Sequence, residues 1–192
     1  MNLRFLKVVI ALCLSLALFT KAGFAADPSD IVLTDSLKET ELRIATILKD
    51  KMNVSGTLSI PGANSEDLVL RFTVNSSGPK AVPPIQVVID APIIGRDAQG
   101  AVTSQLIGIA SYADVKLTLD KHLEQLEWVN RFNSRNTPVR FYLTGNKIVV
   151  AWHLLITRKE PVTEDAFITA LKSLIQSWPN LIDDMKSSGI IE

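Results

Sequence analysis

The sequence predicts an α+β fold: an antiparallel sheet of five to six strands with helices packed mainly on one face. Short runs rich in β-branched residues alternate with polar residues, which is the period-two pattern of half-buried strands. Longer segments repeat apolar residues every three to four positions, as amphipathic helices do. Turn-forming Gly, Pro and Asn residues separate the runs, so the elements read α-β-β-β-β-α-β-β-α along the chain.

Composition limits the classes of protein that the chain can belong to. Its 192 residues are 47% hydrophobic, which suits one folded domain and is too apolar for a disordered protein. The 20 basic residues are balanced by 20 acidic ones. A nucleic-acid-binding protein needs a basic face to neutralise phosphates, so no nucleic-acid partner is expected.

The amino terminus has the pattern of a cleavable secretory signal peptide. Arg4 and Lys7 precede an apolar stretch at residues 8–19, and small residues follow at Gly23 and Ala25. A basic start, a short apolar segment and a small-x-small site predict a signal over residues 1–25, cleaved after Ala25. The apolar stretch is shorter than the roughly 20 residues that span a bilayer. An uncleaved anchor is the alternative.

Removal of residues 1–25 changes the charge and the cysteine content of the chain. It takes Arg4, Lys7 and Lys21 but no acid, which leaves 17 basic against 20 acidic residues and a net charge of −3. The single cysteine, Cys13, is lost as well. We therefore expect a periplasmic or secreted protein, without a stable membrane anchor, whose single domain at residues 26–192 has no disulfide bond.

The first half of the mature chain predicts one helix and four strands. Residues 33–51 are expected to be helical, because Leu37, Ile44 and Leu48 fall on one face at helical spacing. The four strand-like runs are residues 57–60, 68–75, 85–94 and 103–112. The third run is the richest in β-branched residues, so we expect it to be central in the sheet.

The second half predicts a helix, a hairpin and a long final helix. The helix at residues 117–135 has an apolar stripe of Leu119, Leu123, Leu126, Val129 and Phe132. Strands at residues 139–143 and 148–156 flank a turn at Gly145. Pro179 lies inside the amphipathic pattern of residues 163–186, where it predicts a kink or a break into two helices.

Few groups in the sequence could form a reactive site. His122 and His153 lie outside metal-binding spacings, and no serine occupies a nucleophile-elbow motif. Asp90 directly precedes Ala91 and Pro92 in the third run, and as a strand-ending residue it would hold a position where catalytic carboxylates occur. A hydrolase that uses Asp90, His153 and a serine brought together by folding is one alternative, and a small-ligand carrier with an apolar cavity is another. No metal or cofactor is predicted.

The three tryptophans lie on predicted helices or strands. Trp152 and Trp178 fall on apolar faces and are expected in the core. Trp128 lies off the main stripe of its helix, so it is either at the edge of the core or in an exposed contact patch. Protein interfaces favour exposed aromatic residues, which makes Trp128 a candidate partner-binding residue.

The carboxy-terminal half carries a set of motifs in a fixed order. They are LEWVNRFN at residues 126–133, RFYL at 140–143, Gly145, an apolar strand at 148–156 and VTE at 162–164. In these motifs the chain resembles the YbjN-like family of sensory transduction regulators, whose members share the fold of type III secretion chaperones. About a third of the chain carries the resemblance, and the rest fits in the order of its elements.

The resemblance implies a binding module rather than an enzyme, because the family has no established catalytic residues. It implies a homodimer that engages a protein or peptide partner. Asn130 and Asn133 lie in the first motif, where they either end the helix or contact that partner. The expected function is therefore that of an exported, non-enzymatic chaperone-like or regulatory binding protein, with Trp128, Asn130 and Asn133 as its partner-binding residues.

Overall fold

The structure, a computed structural model, describes residues 27–54, 57–59, 69–74, 84–115, 119–135 and 138–191. Within these residues the chain forms three helices, α1 (Leu37–Met52), α2 (Leu119–Asn133) and α3 (Glu164–Ser187). It also forms seven strands, β1 (Thr57–Ser59), β2 (Val69–Val74), β3 (Ile85–Asp90), β4 (Ile93–Arg96), β5 (Val102–Asp114), β6 (Val139–Thr144) and β7 (Lys147–Thr157). The predicted signal peptide lies outside the described residues, and its cleavage stays a prediction.

All the strands belong to one antiparallel sheet with the order β1-β2-β3-β5-β7-β6, and β4 pairs with β5 beside this path. The centre of the sheet is the long pairing of β5 with β7, which runs from Ser104 opposite Thr157 to Asp114 opposite Lys147. The helices pack mainly on one face. The α+β class and the predicted order of elements are confirmed.

The predicted strand at residues 85–94 is divided into β3 and β4, which both pair with β5. The division falls at Ala91 and Pro92. The Ala91 N–H donates to Oε1 of the buried Glu41 in α1 at 3.2 Å, and Pro92 has no N–H to donate. This corner adds a short strand beside β3 and leaves the order of the sheet unchanged.

The inner face of the sheet packs against the helices to form the core. Val87, Ile109 and Val150 point into it from three neighbouring strands and are fully buried. The buried residues of α3 are Phe167, Ala170, Leu171, Leu174, Trp178, Ile182 and Met185. Because one face of the sheet receives the helices, the outer face is left to meet solvent or a partner.

α3 is a single helix that continues through Pro179, so the predicted alternative of a break into two helices is wrong. Its start is capped by Thr163, whose Oγ1 accepts a hydrogen bond from the Ala166 N–H at 3.1 Å. A proline in a helix interior costs about 3 kcal/mol. Trp178 and Ile182 are buried on either side of Pro179, and their burial offsets this cost.

Asp97 organises the turn between β4 and β5. Its carboxylate accepts hydrogen bonds from the Gln99 N–H at 3.1 Å, from the Ala101 N–H at 2.9 Å and from Arg158 Nη2 at 3.1 Å. The bond from the Ala101 N–H, together with the weaker effect of the Arg158 guanidinium, holds the pKa of Asp97 below its ordinary value.

We expect Asp97→Asn to remove a pH-dependent contribution to stability. Because the pKa of Asp97 is lower in the folded than in the unfolded chain, this contribution is fully present above the unfolded value of about 3.9. It disappears as the pH falls through the folded value. Urea unfolding should therefore separate the variant from the wild type more at neutral pH than in strong acid. A difference of equal size in both conditions would contradict the prediction.

Candidate functional site

Trp128 lies in the core. Its side chain is 3% exposed and packs against the rings of Phe132 and Phe141, with centroids 4.3 and 5.3 Å away. The indole Nε1 donates a hydrogen bond to Asp184 Oδ2 in α3 at 2.9 Å. Of the two interpretations that the sequence left open for Trp128, the structure supports the edge of the core: the ring is buried and borders a groove between α2 and the end of α3.

Asn133 attaches α2 to β6. Its Oδ1 accepts a hydrogen bond from the Phe141 N–H and its Nδ2 donates to the Phe141 carbonyl oxygen, both at 2.8 Å. α2 ends at Asn133, as one of the two alternatives from the sequence states, and the pairing with β6 occupies the side-chain amide that a partner contact would need. Asn130 is exposed on α2. Of the three predicted partner-binding residues, Asn130 is therefore the one whose side chain is exposed to solvent.

Two leucines of α2 point away from the core. Leu123 is 65% exposed and Leu126 is 38% exposed, and Asn130 lies beside them at helical spacing. We call these three residues the leucine ridge. Placing Leu123 and Leu126 in the buried stripe of α2 was wrong. The aromatic cluster of Trp128 and its neighbours decides which side of the helix is buried, and it turns the two leucines outward.

The leucine ridge lies next to a shallow groove of about 370 Å³ between α2 and the end of α3. Glu124 and Glu127 line one side of this groove, and both are exposed. Arg131 lies 3.8 Å from Asp184 and is partly neutralised by it. The surface around the two leucines is therefore apolar at its centre and acidic beside it.

The outer face of the sheet is a second apolar surface, which no described helix covers. We call it the open face and define it as the outward side chains of β3, β5, β7 and β6. Its apolar members are Val88, Leu106, Ala110, Val149, Ala151 and Leu155. Leu155 is 50% exposed and Tyr142, at the margin, is 45% exposed, whereas Ala151 is only 4% exposed and the other four are half-buried. None of the apolar members belongs to the cluster that the sheet shares with the described helices.

Asp90 and His153, the residues of the hydrolase alternative, lie close together on the open face. In the sheet register Asp90 is opposite Gly108, and Gly108 is opposite His153. A Cβ atom at position 108 would lie 2.5 Å from Asp90 Oδ1, so the carboxylate extends over the glycine. The His153 ring meets Tyr142 edge to face, with centroids 6.1 Å apart.

The hydrolase alternative requires a serine close to His153. Within the described residues, no serine or threonine hydroxyl is hydrogen-bonded to His153. The outward neighbours of His153 along β7 are Ala151 and Leu155, which carry no nucleophilic group. No group of three or more His, Cys, Asp or Glu side chains in the described part of the chain could hold a metal ion.

The described clefts give little support to the small-ligand alternative. One, of about 340 Å³, lies between the segment before α1 and the end of β7. Its Arg158 is already bonded to Asp97 and to the Val102 carbonyl oxygen. Another, of about 380 Å³, lies between Trp178 and Lys147 at the edge of the core. Both are open and lined by mixed polar and apolar groups, unlike an enclosed apolar ligand cavity.

Comparison with protein-family models and with curated proteins finds no match to this chain. None of the helices in the described ranges has both the length and the apolar character needed to cross a membrane. The structure is therefore an α+β domain with two apolar surfaces that the described helices leave uncovered, the leucine ridge and the open face.

The sequence contained a signal for both surfaces. In α2, Trp128 and Phe132 are four positions apart and mark a buried stripe that excludes Leu123. In the middle of β5 and β7, from Leu106 to Ala110 and from Val149 to Ala151, both sets of alternating positions are small or apolar, which is typical of strands covered on two sides. A strand with only one helical layer available to it must therefore expose one of these apolar sets.

Proposed function

We propose that this chain is an exported, non-enzymatic binding protein that engages a protein or peptide partner through the leucine ridge. The observation that carries this proposal is the outward position of Leu123 and Leu126 on a helix that is fixed to the core. Trp128 and Asn133 hold α2 against α3 and β6, so the ridge is presented on a rigid support. Preorganised apolar side chains lower the entropy cost of binding.

The charge beside the ridge defines the chemistry of the partner. Glu124 and Glu127 are exposed next to the two leucines, and the chain without its predicted signal has a net charge of −3. A complementary segment carries apolar side chains for the ridge and Lys or Arg for the flanking carboxylates. We therefore propose a basic amphipathic segment as the partner. The predicted signal peptide supports an encounter in the periplasm or outside the cell.

A titration with defined peptides tests the proposal. A fluorescent amphipathic peptide of alternating Leu and Lys character is added to the processed protein, purified after export, and its anisotropy is followed. A matched peptide with Glu in place of Lys is the charge control. We expect the basic peptide to bind and the acidic one to bind at least tenfold more weakly, on the scale of about 1.4 kcal/mol.

The variant L123A/L126A should weaken binding of the basic peptide by more than about tenfold, because burying a leucine contributes roughly 1.5–3 kcal/mol. Leu155→Ala is the matched control, since Leu155 is 50% exposed on the open face, between Leu126 and Leu123 in exposure. It should leave the affinity for the peptide unchanged. Equal losses in the two variants, or no loss in L123A/L126A, would refute the leucine ridge as the binding site.

A further inference from the structure

We propose that the open face is where two copies of this chain associate, sheet against sheet. The twofold axis would run parallel to the strands, between β5 and β7. This interface is separate from the leucine ridge and does not depend on the proposed function. The proposal follows from the register of β5 and β7, the charges at the margins and the size of the face.

The register makes the centre of the open face complementary to itself. Rotation about an axis between β5 and β7 places each outward residue of β5 over its own register partner in β7 of the second copy. Leu106 then lies over Leu155, and Ala110 lies over Ala151. Leucine meets leucine at one end, and the small alanines let the two sheets approach to the roughly 10 Å spacing of packed sheets.

The outward charges of β5 and β7 are complementary under the same rotation. Asp114 and Lys147 are register partners on the open face, 3.5 Å apart within one chain, so each would also lie over its opposite in the second copy. His153 would lie over Gly108, where the Asp90 carboxylate already extends. Because the axis is twofold, each of these two contacts occurs twice in the dimer. An axis at another position would bring like charges together.

The face approaches the size of a standard interface. Neighbouring strands lie about 4.8 Å apart and outward residues on one strand about 6.8 Å apart, so six outward positions on each of β5 and β7 and three on each of β3 and β6 cover roughly 600 Å² in projection. Standard interfaces bury about 800 Å² of accessible surface on each partner. Aligned sheets cross at about −30°, which keeps the central pairs in contact and separates the corners.

The first test is the mass of the processed protein, measured by sedimentation equilibrium across a range of concentrations. We expect the wild type to be a dimer. Leu155→Arg places a charge where Leu106 of the second copy would lie and should weaken dimerisation by more than about a hundredfold, since unmatched buried charge costs several kcal/mol. Leu123→Glu, on the leucine ridge, should remain dimeric. A monomeric wild type, or a dimer unchanged by Leu155→Arg, would overturn the proposal.

The second test separates the interface from any effect on folding. Asp114→Lys and Lys147→Asp each place like charges opposite each other in their own dimers, so each variant alone should dimerise more weakly than the wild type. Mixed together, the two variants should form heterodimers in excess of either homodimer, because every opposed pair is then Lys with Asp. Native mass spectrometry counts these species. A statistical mixture would contradict the proposed axis.

Discussion

Replacing Trp128 with alanine should lower the free energy of unfolding by about 3–5 kcal/mol, the range for loss of a large aromatic side chain from a core. The change empties the space between Phe132, Phe141 and α3, and it leaves Asp184 without the indole donor. Urea unfolding measures the loss directly, and thermal unfolding should shift downward by roughly 10 °C in a domain of this size.

Two controls separate packing from surface chemistry at this helix. Trp128→Phe keeps an aromatic ring against Phe132 but loses the hydrogen bond to Asp184, so it should cost less than the alanine variant. Leu123→Ala changes an exposed side chain of the same helix and should alter stability by no more than about 0.5 kcal/mol. If Trp128→Ala were as stable as Leu123→Ala, the buried position of the indole would be wrong.

Replacing Phe167 with alanine should have an effect of similar size, about 3–5 kcal/mol. Phe167 is fully buried in the first turn of α3, where the helix starts to cover the sheet. Without its ring, a cavity opens between α3 and the inner face of the sheet, and the packing of α3 on the sheet is weakened. The urea midpoint should fall while its slope stays constant, because the surface exposed on unfolding is nearly unchanged.

The neighbouring Ile168 supplies the matched control. It is only half-buried, so Ile168→Ala removes less packed surface and should cost clearly less than Phe167→Ala. Phe167→Leu, which keeps much of the volume, should fall between the two. Equal losses at positions 167 and 168 would mean that the face of α3 turned toward the sheet is not the one described.

The fold was largely predictable because its elements have strong local patterns. Strand alternation and turn residues define the order of elements, and the Thr163 cap gives the start of α3. Two details depended on tertiary contacts. The corner at Ala91 is fixed by Glu41, a residue 50 positions away in the chain. The continuity of α3 through Pro179 follows from side chains buried on both sides.

The candidate surfaces were less predictable for the same physical reason. Periodicity identifies apolar stripes on a helix, but it does not show which of two stripes is buried. In α2 the stripe with the aromatic residues is buried and the stripe with the two leucines is exposed. Likewise, Asp90 and His153 are distant in sequence, and only the pairing of β3, β5 and β7 brings them to the two sides of Gly108. Residues that are neighbours only through strand pairing can be identified once the register of the strands is known.

The double hydrogen bond of Asn133 has a consequence for how assemblies of this chain can grow. The side-chain amide occupies the backbone donor and acceptor of Phe141 on β6, as an adjacent peptide would. An incoming chain cannot add to the middle of this border strand without first displacing the amide. Lateral extension into an open-ended ribbon is hindered there, whereas the proposed stacking of open faces would give a closed pair with a fixed number of members.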